Sequence, residues 1–130
     1  MPEISIVIPT FNSEKFINAC LGSVFAQGAL DFEVIIVDNG SKDGTADIIK
    51  KNYPQKVILL ENKENLGACK ARNQGIQVSS CKWVLTLDCD IILEKDFLSE
   101  IPKAIKNLTA KIGMIQPKIL KPDRETVYSV

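Results

Sequence analysis

Five short runs of apolar, β-favouring residues punctuate the chain: Ile4–Ile8, Glu33–Val37, Val57–Leu60, Trp83–Leu87 and Ile112–Ile115. They are nearly continuous in hydrophobicity rather than alternating, which suits strands covered on both faces. Between them the spacing turns helical. Phe16, Ile17, Cys20, Leu21 and Val24 recur every three or four positions after Ser13, a predicted N-cap. Ala46, Ile48 and Ile49 follow the turn Asn39-Gly40-Ser41-Lys42-Asp43-Gly44, and Pro54 closes that segment. Leu66, Cys69, Asn73 and Ile76 mark a third helix. Phe97, Ile101, Ile105 and Leu108 mark a fourth, with Pro102 set against its first turns.

Strands thus alternate with helices from end to end. Parallel strands joined by right-handed helical crossovers satisfy that order most simply, so the expected fold is α/β: a doubly wound, mainly parallel sheet with helices on both faces. Residues 1–130 read as a single domain with no internal repeat or linker. The tail after Leu120 is polar with a β-prone end, and reads as a fold cut short.

Composition narrows the function more than the fold. A chain of 130 residues, 45% hydrophobic and 25% charged, holds one real core. Sixteen basic residues balance sixteen acidic ones, so no global field favours nucleic acid or anionic lipid, and a charged ligand must be held locally. No apolar run approaches a membrane span, and Met1-Pro2-Glu3-Ile4 lacks the basic start of a signal peptide. The expected location is cytoplasmic, with any attachment to the cytoplasmic face of a membrane made through segments outside this chain. Cys20, Cys69, Cys81 and Cys89 form no C-x-x-C pair and there is no histidine. This argues against a thiolate zinc site and rules out Ser-His-Asp or Cys-His catalysis. The cysteines are expected to be reduced and to fill small core positions.

In an open α/β sheet the ligand crevice lies beyond the carboxyl ends of the strands. Those ends read Pro9-Thr10-Phe11-Asn12, Asp38-Asn39-Gly40-Ser41, Glu61-Asn62 and Asp88-Cys89-Asp90. The last sits within the greasy run Leu85–Leu93, which reads as a buried strand. Residues two apart on a strand share a side about 6.5 Å apart. Two charges at about 6 Å repel by roughly 3 kcal/mol at an effective dielectric near 20. A divalent cation relieves that repulsion, and Mg²⁺ or Mn²⁺ accepts such an oxygen-rich site with water and phosphate completing the shell. Equally, Asp88 and Asp90 could begin a solvated loop, with one of them capping the next helix. Asp38 could simply form its turn, and Arg72 could be a solvated helix residue.

Four segments together resemble the family 2 glycosyltransferases, which have the GT-A fold. They are Ser5-Ile6-Val7-Ile8-Pro9-Thr10-Phe11-Asn12, Val37-Asp38-Asn39-Gly40-Ser41-Lys42-Asp43-Gly44-Thr45, the block Glu61 to Ile76, and Leu87-Asp88-Cys89-Asp90. The resemblance covers residues 3 to about 120. It implies a nucleotide-diphosphate-sugar-binding fold and a reaction in which an acceptor hydroxyl attacks the donor's anomeric carbon. By the same resemblance Pro9, Thr10 and Phe11 form a wall of the nucleoside pocket, and Asp38 and Asn39 approach base or ribose. Arg72 lies near base or phosphates, Asp88 by ribose or metal, and Asp90 on the metal, Mn²⁺ or Mg²⁺. Gly67 and Ala71 let the third helix approach the sheet.

One departure is Asn39, where many members carry a second aspartate. An amide donates as well as accepts, so the base preference is open to retuning. The Asp-Asn form resembles that of rhamnosyltransferase-like members, which implies dTDP-linked donors beside UDP-linked ones as candidates. Asn39 is also an ordinary turn residue. The acceptor, whether sugar, lipid or protein, is not legible. The family's general base lies in its second half, so this chain is expected to be the N-terminal, donor-binding part of a longer catalytic domain, inactive alone. The alternative is a non-catalytic nucleotide-binding or interaction module without the acceptor half. A response-regulator receiver would need an acidic pair after the first strand and Lys-Pro after the fifth, and the chain has neither Asp-Asp at Pro9-Thr10 nor that order at Pro117-Lys118. A sugar-phosphate nucleotidyltransferase would need a glycine-rich basic loop where Thr10-Phe11-Asn12-Ser13 stands.

Overall fold

The computed structural model describes residues 2–28, 30–107 and 113–129. They form β1 (Ile4–Thr10), α1 (Ile17–Phe25), β2 (Phe32–Asp38), α2 (Thr45–Asn52), β3 (Ile58–Glu61), α3 (Ala68–Val78), β4 (Trp83–Thr86), α4 (Phe97–Lys106), β5 (Ile119–Leu120) and β6 (Val127–Ser129). The chain divides into two units, Met1–Glu100 and Ile101–Val130.

The first unit carries a four-stranded sheet in the order β3-β2-β1-β4, every pair parallel. β1 and β2 are central, and this explains their unbroken apolar runs. Val7, Ile35 and Val37 face one side, packed with Ala71 of α3 and flanked by Leu60 and Val84. Ile6, Ile8, Val34 and Ile36 point to the other side and are equally inaccessible. The buried stripes Ile17, Cys20, Leu21 and Val24 of α1 and Ile49 of α2 supply the second layer. Ser13 opens α1 through its carbonyl, which accepts the Phe16 and Ile17 amides at 3.0 and 2.9 Å, rather than through its hydroxyl.

On α3 the apolar spacing misleads. Leu66 precedes the helix, and Cys69, Asn73 and Ile76 are exposed; the face on the sheet is Ala71 and Gly75. Small residues let the helix axis come closer than leucines would, so close approach outranks side-chain hydrophobicity here. Gly67 contributes differently from the expectation: a Cβ there would meet nothing within 4 Å, but its φ of +87° is one that glycine adopts without strain.

At the amino ends of the strands Glu33 ties three segments together. Its Oε1 accepts from Ser5 Oγ at 2.6 Å and from the Ser80 amide at 2.7 Å. Burial alone would raise this carboxyl, but those bonds outweigh it and hold it below its ordinary 4.5. A depressed folded-state value contributes stability above the unfolded value, and that stability is lost as pH falls through the folded one. The urea midpoint is therefore expected to drop as pH is lowered through and below 4.5, with a flatter profile in Glu33→Gln. Equal slopes in the two proteins would show that Glu33 carries no part of it.

In the second unit β5 and β6 pair antiparallel around a turn in which Asp123 Oδ1 accepts the Glu125 and Thr126 amides at 2.9 and 2.8 Å. Of the strand expected at Ile112–Ile115, the described residues 113–115 form none. Ile112 lies outside the described residues, as does Leu108 of the fourth helical stripe, while Gly113–Ile115 are in no strand and Met114 is 84% exposed. The Asp123 turn brings residues 119–120, not the more apolar run before them, to a partner. Among the described residues no helix is long and apolar enough to cross a membrane.

Candidate functional site

The sheet order places a topological switch between β1 and β4, because β2 and β3 build outward on the other side of β1. A cleft of about 380 Å³ opens at the carboxyl ends of these two strands. Its β1 side is Pro9 to Ser13 with Phe16, its far side is Asp88 to Asp90, and Asn39, Asn65, Ala68 and Arg72 complete it.

Proline suits this strand end. Val7 O accepts the Leu87 amide and Thr10 O accepts the Asn39 amide, so the odd positions of β1 face β4. Pro9 falls where the β4 ladder has already stopped, and its missing N–H leaves no sheet bond open. Beyond it Phe11 and Phe16 stand 46% and 52% exposed, two aromatic faces offered to the cleft.

Asp38 does not line the cleft. It is 3% exposed and spent on the fold: Oδ1 accepts Thr10 Oγ1 at 2.9 Å and Ser41 Oγ at 2.5 Å, and Oδ2 accepts the Ser41 amide at 2.9 Å. This is the turn-forming role that the residue type favours. Asn39 reaches the cleft but is also buried. Its Oδ1 accepts Asn62 Nδ2 at 2.9 Å, and its Nδ2 donates to Gly67 O at 3.1 Å. Asn62 in turn exchanges two hydrogen bonds with Gln74 of α3, at 2.8 and 3.0 Å. An aspartate at 39 would lose the donor to Gly67, so the amide has a structural reason as well as any ligand-facing one.

The acids at the fourth strand differ from the expectation in two ways. β4 ends at Thr86, so Asp88 and Asp90 occupy a turn, closed by the Ile91 amide on Asp88 O at 3.1 Å, and the two-residue strand spacing does not apply. Both side chains are exposed rather than buried. Asp88 faces Arg72, whose Nη2 donates to its Oδ1 in an ion pair. Arg72 gets there because it follows Ala71, which faces the sheet, and lies four residues after Ala68, which lines the same cleft.

Between the acids, Cys89 donates its thiol to Ser13 Oγ at 3.0 Å, and burial raises it above its ordinary value. Cys20 beneath is pushed up to about 12 by burial, then by Cys89, Asp90 and Asp88, so it stays a thiol and is no nucleophile. Of the four cysteines, all free, only Cys20 is a core residue and Cys69 is exposed.

The cleft therefore gathers Pro9, Thr10, Phe11, Asn39, Arg72, Asp88 and Asp90 and leaves Asp38 behind its wall. Sequence reasoning passed over Asn12, Ser13, Phe16, Asn65, Ala68 and Cys89. Phe16 was masked by its place in the α1 stripe, whereas Asn65, just before Gly67 and the start of α3, carried a turn signal that could have been read.

The model of the family described as glycosyl transferase family 2 matches residues 5–126. The glycosyltransferase GlyA of Streptococcus pneumoniae serotype 4 is 29% identical over 114 residues, which are 86% of this chain and 16% of that protein. Across curated relatives it matches, the chain spans from 16% to 40% of their length. S. aureus TarS 1-349 in complex with UDP-GlcNAc superposes with a TM-score of 0.73 at 33% identity, over 80% of this chain and 31% of that one. The mannosyltransferase PcManGT from Pyrobaculum calidifontis, in complex with GDP-Man and Mn2+, gives 0.72 at 26% identity, over 78% and 32%. The sheet is that of the GT-A transferases. By the match of its family model over nearly its whole length, the chain belongs to glycosyl transferase family 2.

Proposed function

We propose that this chain is the donor-binding part of a glycosyltransferase, holding a nucleotide-diphosphate sugar whose sugar passes to an acceptor hydroxyl. The observation that carries the reading is the cleft at the β1–β4 switch, which runs from exposed aromatic faces to a cluster of one cation and two carboxylates. A planar base wants a flat apolar wall, which Pro9, Thr10 and Phe11 supply, with Asn39 at the polar end. A diphosphate wants positive charge, which Arg72 supplies from α3. Asp38 serves from behind, by fixing Thr10 and Ser41.

The acids fit a hard divalent cation. Asp88 keeps Oδ2 outside its Arg72 bond and Asp90 is exposed, and among the described residues no group of three or more cysteine or acidic side chains is placed to hold a metal. Few protein oxygens in a solvated cleft suit Mg²⁺ or Mn²⁺, which take water and phosphate oxygens for the rest. Bound there, such an ion would act as a Lewis acid on charge developing at the departing diphosphate. The Pyrobaculum neighbour's complex with GDP-Man and Mn2+ supports that choice. The complex of TarS with UDP-GlcNAc supports a UDP-linked donor, with a dTDP-linked one the alternative that Asn39 leaves open.

Asp88 and Asp90 are the only acids lining the cleft among the described residues; Asp88 pairs with Arg72, and on this reading Asp90 is given to the cation. The base that takes the acceptor's proton is then neither of these two acids; we infer that it lies outside this chain, which should bind donor without turning it over. Calorimetric titration with UDP, dTDP and GDP, with and without Mn²⁺, tests this. One nucleotide should bind with metal-dependent affinity, and Asp90→Ala should weaken it about tenfold, the scale of one charge-assisted contact. Metal-indifferent binding, unchanged in the variant, would remove the metal from the reading; no binding at all would remove the reading.

A further inference from the structure

The loops after β1 and β2 are laced together by consecutive amides. The Asn12 amide donates to Ser41 Oγ at 2.9 Å, the Ser13 amide to Thr45 Oγ1 at 2.7 Å, and the Glu14 amide to Asp43 Oδ2 at 3.1 Å. Two bonds return the other way: the Lys42 amide to Asn12 Oδ1 at 2.8 Å, and the Gly44 amide to Glu14 Oε2 at 2.8 Å. Each acceptor is itself aimed. Ser41 donates its hydroxyl hydrogen to Asp38 Oδ1 at 2.5 Å, which turns its lone pairs to Asn12. Asp43 uses Oδ1 on the Thr45 amide and hydroxyl, at 3.0 and 2.5 Å, which frees Oδ2 for Glu14. Burial would raise the Asp43 carboxyl, but the Thr45 and Glu14 bonds outweigh it and hold it below its ordinary value.

The two sides of this lacing differ in one respect. Phe11, Asn12, Ser13 and Phe16 line the cleft, whereas Glu14, Ser41, Asp43 and Thr45 do not. Asn12 also sits at φ +49°, a left-handed conformation that a non-glycine residue keeps when its surroundings fix it. The bonds to Ser41 and Lys42 do so.

We propose that Glu14, Ser41, Asp43 and Thr45 are positioning residues, a clamp that holds the Phe11–Phe16 wall in its binding shape before the nucleotide arrives. The inference rests on the donor-nucleotide reading above. A wall ordered in advance spares the ligand the entropy of ordering it, and that saving appears as affinity without any contact to the ligand.

Three variants separate this from general folding. Glu14→Ala removes the bond to the Gly44 amide, Glu14→Gln keeps an acceptor for it, and Asp43→Asn keeps the Thr45 bonds while presenting an amine to Glu14. Each is titrated, with Mn²⁺ present, with whichever of UDP, dTDP and GDP binds the wild type; its melting temperature is measured, and amide hydrogen exchange is followed at residues 12–14 of the nucleotide-free chain. Glu14→Ala and Asp43→Asn should bind about three- to tenfold more weakly, the scale of one lost hydrogen bond, with faster exchange. Glu14→Gln should match the wild type, and melting temperatures should barely move. Unchanged affinity in the first two variants, unchanged exchange, or losses that follow melting temperature and are not rescued by glutamine would each overturn the clamp. A wild-type chain that takes up none of UDP, dTDP and GDP in the presence of Mn²⁺ would instead fail at the parent reading, and the clamp's purpose would fall with it.

Discussion

Gly75→Ala is expected to cost about 2–3 kcal/mol of folding stability, in the upper part of the range for added core methyls. A Cβ at this position would lie 2.3 Å from Val7 Cγ1, 3.3 Å from Val7 Cγ2 and 3.4 Å from Val37 Cγ2. The first distance is far inside van der Waals contact. Val7 cannot yield easily, because it is β-branched, wholly buried and paired on both sides of its strand. The helix must lift instead, and with it Ala68 and Arg72 at the cleft. Gly22 of α1 provides the control. A Cβ there meets nothing within 4 Å, so Gly22→Ala should be neutral or gain up to about 1 kcal/mol from helix propensity. Urea unfolding of both variants checks the pair. Equal stability of Gly75→Ala and the wild type would mean that α3 does not lie as close to β1 as described.

Arg72→Ala should scarcely touch stability yet weaken nucleoside-diphosphate binding on the order of 10- to 100-fold. The asymmetry follows from exposure. The Arg72 and Asp88 side chains are 32% and 58% accessible, and ion pairs this open contribute about 1 kcal/mol or less to folding. A guanidinium donating to a diphosphate is worth about 1.5–3 kcal/mol, and each 1.4 kcal/mol is about tenfold. Removing it also leaves Asp88 and Asp90 facing an anion without a counter-charge. The variant should lean harder on metal, because Asp88 then has both oxygens free; the ratio of affinities with and without Mn²⁺ should rise. Arg72→Lys should recover only part of the loss, since a point charge replaces a planar fork. Undiminished affinity in Arg72→Ala would detach this arginine from the diphosphate.

The parts of the protein legible from residues alone were those governed by short-range pattern. Unbroken apolar runs located β1 to β4 within two residues at each end; the central β1 and β2 are covered on both faces and have no polar side to show, whereas the edge strands β3 and β4 carry the same run only partly buried. The strand ends were legible for a related reason: polar groups clustered there, at turns, where the backbone needs them. The α3 face was not legible, because Ala71 and Gly75 carry little hydrophobic signal while Cys69 and Ile76 carry more, and only the distance to Val7 decides between them. Nor was the final strand, since Ile119–Leu120 pair with Val127–Ser129 through a turn set by Asp123 rather than through their own apolarity.

The candidate site divides along the same line. Pro9, Thr10, Phe11, Asn39, Arg72, Asp88 and Asp90 come from four motifs, and one cleft contains them. That Asp38 is buried as a turn brace, that Asp88 is met by an arginine sixteen residues away, and that residues 12–14 are held by a loop some thirty residues further on are long-range facts. Sequence by itself determined the alternating α/β order and the chemistry offered at each strand's carboxyl end, since periodicity and residue type are local properties. Only the tertiary structure decided which of those groups meet solvent, which meet each other and which support the rest. Burial and pairing depend on what packs against a residue, and that partner lies elsewhere in the chain.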